Sequence, residues 1–123
     1  MSGVLTWTGV AVVGAVGAWA RFFLGGVVTA RWPSAFPFGT LTVNLTGGFA
    51  LGLLTGLSLS GDARLVLGTG LLGAYTTFST WMVEAQRLGE DGAFAAMWLY
   101  LLGSMVAGLA ATGAGWLLGG ALG

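Results

Sequence analysis

From Leu65 to Val83 the chain carries no charged residue. About 20 apolar residues at 1.5 Å each span a bilayer's hydrocarbon, so this run is long enough to cross one. It is nevertheless a poor membrane helix. Gly68, Gly70 and Gly73 fall within it, each weakening a helix by roughly 1 kcal/mol relative to Ala. Thr76, Thr77, Ser79 and Thr80 then crowd together, and such hydroxyls compete for backbone hydrogen bonds. Phe78 and Trp81 sit among them, three apart and therefore on one helical face. Irregular backbone at membrane depth is tolerated only where it is buried in protein or lines a water-filled path. The stretch Gly68–Glu84 is therefore expected to be a broken helix at a transport or ion site.

Composition places the chain in a membrane. Of its residues 56% are hydrophobic and 7% charged, against roughly 25% charged in soluble domains. The mean hydropathy is +0.92. Net charge is zero, with no basic patch for nucleic acid. Cys and His are both absent, which excludes disulfides, Cys/His zinc sites, haem ligation and His-based acid–base chemistry. The acids are Asp62, Glu84, Glu90 and Asp91, and only Glu84 is expected outside a loop. No carboxylate pair is placed at membrane depth, and an enzyme is the least supported reading. Gly makes up 24 of 123 residues, and small residues let membrane helices approach closely.

Charges and prolines divide the chain into four expected spans in one domain covering residues 1–123: about 4–28, 38–59, 65–87 and 94–118. The first carries small residues at helical spacing, with Gly14 and Ala18 on one line and Gly17, Arg21 and Gly25 on another. Pro33 and Pro37 separate it from the second, and Trp32 suits the membrane–water interface. In the second, Thr40, Asn44, Gly47, Gly48, Leu51 and Thr55 share one face. Residues 60–64 and 89–92 are expected as loops. The fourth carries a polar stripe, Tyr100, Ser104, Gly108 and Thr112, running about 18 Å at 1.5 Å per residue. A separate ridge of Ala107, Ala111, Gly115 and Gly119 is suited to packing.

Four spans put both termini on one side, together with Arg64. Arg31 and Arg87 fall on the other side, and Arg21 just inside it. Orientation follows a Lys/Arg excess, and here the excess is small. Insertion in both orientations is therefore open, and two opposed copies would make an antiparallel dimer. The small-residue faces could then meet across a two-fold axis in the membrane plane.

The polar groups at membrane depth are Asn, Thr, Ser and Tyr, all hydrogen-bond donors. An acidic lining would favour cations, whereas donors suit a small, strongly hydrated anion. Aromatic rings have a positive edge, so Phe78 and Trp81 are either core filler or part of an anion path. Asn44, the only Asn, is either interhelical glue or a pathway residue. Arg21 either pairs with Glu84 or caps a helix, or it draws anions to a vestibule. Carbonyls freed at the break could hold a cation such as Na⁺.

The segments GTLTVNLTGGFALG (Gly39–Gly52) and GLLGAYTTFSTWMVE (Gly70–Glu84) resemble the two signature motifs of the Fluc (CrcB) fluoride channel family. GAWARF (Gly17–Phe22) is similar to that family's first helix with its Arg, and the resemblance covers essentially the whole chain. It implies an all-α membrane protein of four transmembrane helices per subunit, the third broken, forming an antiparallel dual-topology dimer with two fluoride pores. It implies a structural Na⁺, not transported, held by backbone carbonyls that fall on Gly73 and Thr76. Carried over by motif, the pore Asn is Asn44 with Thr40 one turn before it. Phe78 is the first box aromatic, Ser79 and Thr80 are pore hydroxyls, and Tyr100, Ser104 and Thr112 are the polar track. Arg21 and Glu84 match the vestibule Arg and the helix-end Glu.

The chain departs from the family pattern at Trp81, where the second box position is usually Phe, and at Gly108, where the track usually has a hydroxyl. The resulting expectation is passive fluoride conduction across a bacterial inner (plasma) membrane by a homodimer, lowering cytoplasmic fluoride. One alternative is a subunit, conducting or not, of a heterodimer with a paralogous chain. A four-span proton-coupled drug exporter is disfavoured, because it needs a carboxylate early in the first span and none precedes Asp62.

Overall fold

The computed structural model describes residues 3–59 and 61–123. Every regular element among them is helical. The long helix α1 (Gly3–Arg31) ends two residues before Pro33, as expected when the residue preceding a proline avoids helical geometry. Helix α2 (Phe38–Gly56) starts immediately after Pro37. The chain then makes a series of short pieces: α3 (Gly61–Arg64), a π-helical stretch (Leu65–Leu72), α4 (Gly73–Tyr75) and α5 (Ser79–Glu90). It closes with α6 (Phe94–Leu122). Helices α1, α2 and α6 are each long and apolar enough to cross a bilayer. The 29 residues of α1 and of α6 reach about 44 Å at 1.5 Å per residue, beyond the roughly 30 Å hydrocarbon thickness.

Two expected loops turn out partly helical. Residues 61–64 form the helical turn α3, so Asp62 lies in a helix and not in a loop. Ser60 lies outside the described residues. Gly61 makes the reversal with φ +63°, a left-handed conformation that costs Gly little. Gly89 and Glu90 continue α5, and the reversal is confined to Asp91–Gly92, with Gly92 at φ +78°.

Glycine contacts hold the helices together. A Cβ on Gly52 would collide with the Thr112 carbonyl oxygen, and one on Gly56 with that of Trp116. From the other side, Gly115 faces the Phe49 carbonyl and Gly119 that of Leu53. Helices α2 and α6 thus lie backbone against backbone, the packing that works where lipid removes the hydrophobic drive. Gly17 and Gly14 likewise face the carbonyls of Leu71 and Gly70 in the π-helical stretch. The ridges considered for contact between copies are therefore used within the chain at these glycines. Few side chains are buried: Val43 and Tyr100 are the largest fully enclosed ones. Large apolar residues such as Trp7, Trp19, Phe22, Leu109 and Leu117 stand outward on α1 and α6, as suits helices surrounded by lipid or by another subunit.

Candidate functional site

The Gly-rich run takes the least regular path. From Leu65 to Leu72 the helix widens to π geometry, a form that concentrates at functional sites. The Gly73 N–H donates to the Gly68 carbonyl, five residues back. One tight turn follows, and Thr76 then leaves helical space with ψ 157°. The chain becomes helical again at Ser79. The interruption at Thr76–Phe78 coincides with the hydroxyl cluster, where side chains offer the backbone other partners.

Asn44 spans the gap. Its Nδ2 donates to the Thr77 carbonyl at 2.9 Å, and the Thr77 N–H donates to Asn44 Oδ1 at 2.9 Å. One side chain so satisfies both backbone groups of a residue that has left the helix. Asn44 is therefore glue, but for a broken backbone and not merely between two helices. One Nδ2 proton remains for another acceptor. In an unbroken helix the Thr77 N–H would serve the Gly73 carbonyl. With that donor diverted, no hydrogen bond among the described residues reaches the carbonyls of Gly73 or Thr76. Arg21 Nε donates to the neighbouring Ala74 carbonyl at 3.4 Å.

Two cavities flank this staple. The larger, ≈ 520 Å³, includes Arg21, Thr40, Thr77, Thr80 and Glu84 in its lining. The other, ≈ 380 Å³, is lined by Asn44, Gly48, Trp81, Ser104, Met105, Gly108, Leu109 and Thr112. Thr77 lines the first and its partner Asn44 the second. No carboxylate lines the second cavity. Ser79 lines neither cavity; it lines a third recess with Thr80, Val83, Glu84 and Arg87.

Arg21 and Glu84 share the larger cavity but make no ion pair, which departs from the pairing considered for them. Glu84 is engaged otherwise: Thr40 Oγ1 donates to its Oε1 at 2.5 Å, and Tyr100 Oη donates to the same oxygen at 3.5 Å. Tyr100 is fully buried with Ala85 and Leu88. It thus leaves the stripe it shares in sequence with Ser104 and Thr112, and it is absent from the lining of their cavity. Phe78 is 70% exposed. Its ring meets Trp81 edge-to-face at 5.5 Å between centroids. Gly108 faces open space where a hydroxyl would fit.

Residues 8–116 match the family model described as CrcB-like protein, Camphor Resistance (CrcB). The chain belongs to the CrcB family. A relative named Fluoride-specific ion channel FluC 2, from Mycobacterium tuberculosis (strain CDC 1551 / Oshkosh), is 51% identical over 108 residues, covering 88% of this chain and 86% of that protein. Fluoride-specific ion channel FluC 1 of Leifsonia xyli subsp. xyli is 46% identical, covering 90% and 84%. FluC 2 of Haloarcula marismortui is 45% identical, covering 84% of each. With its long apolar helices, this CrcB chain is a multi-pass membrane protein. The motif reading did not assign a role to Thr77; the signal available for it was the solitary Asn44 opposite a helix-breaking run.

Proposed function

We propose that this chain is a fluoride-selective passive channel of the plasma membrane that lowers cytoplasmic fluoride. The observation that carries this reading is the pair of cavities linked through Asn44–Thr77. Their polar lining beyond that pair is Arg21, hydroxyls and indole, with Glu84 the only acid, present in the larger cavity and absent from the other. An anion entering past Arg21 meets a positive charge. Glu84 Oε1 is there already engaged as an acceptor by Thr40 and Tyr100. The ion then exchanges water for the hydroxyls of Thr80, Ser104 and Thr112, the remaining Asn44 amide proton and the indole of Trp81. Fluoride gains more than chloride, because small anions accept shorter and stronger hydrogen bonds.

The helical pieces from Gly61 to Glu90 are read as one interrupted third span, making four spans with both termini on one side. The near balance of charge supports insertion in either orientation and an antiparallel dimer. The outward apolar faces of α1 and α6 offer area for a second copy. The carbonyls of Gly73 and Thr76, without donors at the interruption, fit a hard monovalent cation; these two would hold the family's Na⁺. When bound, that ion supplies positive charge and caps the open helix end.

The purified chain alone in liposomes tests the function. Fluoride efflux with little chloride efflux is expected. Equal passage of both ions refutes selectivity. Flux that appears only when a second, paralogous chain is added supports the heterodimer instead.

A further inference from the structure

Two buried side-chain donors have no hydrogen-bond partner: Trp81 Nε1 and Ser104 Oγ. Other hydroxyls on these helices behave differently. Thr42, Thr46, Thr55 and Thr76 donate back to the carbonyls of Phe38, Thr42, Leu51 and Leu72, one turn earlier. That is the ordinary outcome for a helical hydroxyl, and Ser104 does not take it. A buried indole N–H also normally finds an acceptor. A buried donor without a partner is costly, so two at one site call for an explanation. Both residues line the same ≈ 380 Å³ cavity.

Resting on the channel reading above, we propose that Trp81 Nε1–H and Ser104 Oγ–H together form a two-donor fluoride site. The ion is held there by an indole hydrogen bond and not by an aromatic ring edge alone. Trp81 has the framework for this task. Its ring packs against the buried cluster of Ala85, Leu88 and Tyr100, and Phe78 lies against its face or edge at 72°. The indole is therefore oriented before the ion arrives, which lowers the cost of binding. No acid lines the cavity to compete for the N–H. A charge-assisted hydrogen bond is about twice as strong as a neutral one, so the ion relieves both unmet donors. The site selects small hard acceptors over chloride, and it holds fluoride more tightly than a ring edge would.

The test is fluoride titration of the indole-¹⁵N-labelled full chain in micelles. The Trp81 resonance is assigned by its loss in W81F, or by its displacement in S104A should W81F fail to fold. A downfield, saturable shift with fluoride and none with chloride is expected. W81F should raise the half-saturating fluoride concentration of flux at least about tenfold, the effect of one hydrogen bond to a charge. A resonance that stays fixed at fluoride concentrations where the same protein conducts overturns the two-donor site and leaves the channel intact. A wild-type chain that passes no fluoride overturns the channel reading, and the site with it.

Discussion

Replacing Asn44 tests the link between the helix interruption and the ion path. Asn44→Ala removes both 2.9 Å hydrogen bonds to Thr77. It strands one backbone donor and one acceptor where water is scarce. At about 1–3 kcal/mol for each unsatisfied group, the sum is roughly 2–6 kcal/mol. Hydrogen bonds in membrane proteins often contribute less, nearer 0.6 kcal/mol each, which places the expected loss toward the lower end, about 2 kcal/mol. Asn44→Asp is the sharper variant. It keeps an acceptor for the Thr77 N–H but loses the donor to the Thr77 carbonyl, and it places a negative charge beside the anion cavity. Thermal unfolding in micelles should therefore rank the proteins wild type, N44D, N44A in falling stability if hydrogen bonds dominate. Fluoride flux should be abolished in N44D. If N44A unfolds with wild type, the staple contributes nothing. If N44D conducts normally, Asn44 is not beside the ion.

Further outcomes follow from the same geometry. Gly115→Val drives a side chain into the Phe49 carbonyl and should separate α2 from α6, seen as loss of folded protein. Gly108→Ser meets open space, so its stability should stay within about 0.5 kcal/mol of wild type. Glu84→Ala leaves the Thr40 and Tyr100 hydroxyls without their acceptor and should cost about 1–3 kcal/mol. Glu84→Gln retains an oxygen and should cost less, with unfolding midpoints as the readout. Exchanging Na⁺ for a bulky organic cation should lower the unfolding temperature if Gly73 and Thr76 hold the ion, since ligand at a hundredfold excess over Kd adds about 2.7 kcal/mol. An unfolding temperature indifferent to Na⁺ removes that site.

Much of the architecture is legible in the sequence, because membrane helices depend on length and hydropathy more than on detailed packing. The proline pair corresponds to helix ends and three of the four expected spans to the long apolar helices α1, α2 and α6, whereas the Gly/Thr-rich run at Gly68–Thr80 falls in short helical pieces with a gap after Tyr75. What sequence spacing could not give was how each polar side chain is used. Tyr100 and Ser104 are one turn apart, yet Tyr100 turns to Glu84 while Ser104 lines the cavity with Asn44. Helical periodicity fixes a face within tens of degrees, and the choice between two neighbouring partners lies below that resolution. Arg21 reaches the Ala74 carbonyl rather than Glu84 for a related reason: the interruption creates an acceptor that no pairing rule based on charge anticipates. Between α2 and the helical turn that holds Asp62, both Ser58 and Gly61 take left-handed φ (61° and 63°), which a reading of polar loop composition does not locate.

The central claim is selective, passive fluoride conduction. The most direct measurement of it is the reversal potential of the chain in a planar bilayer with fluoride on one side and chloride on the other at unequal residual fluoride. The potential should follow the fluoride gradient alone and ignore changes in chloride or pH. A reversal potential that shifts with chloride, or a current that requires a proton gradient, contradicts the account.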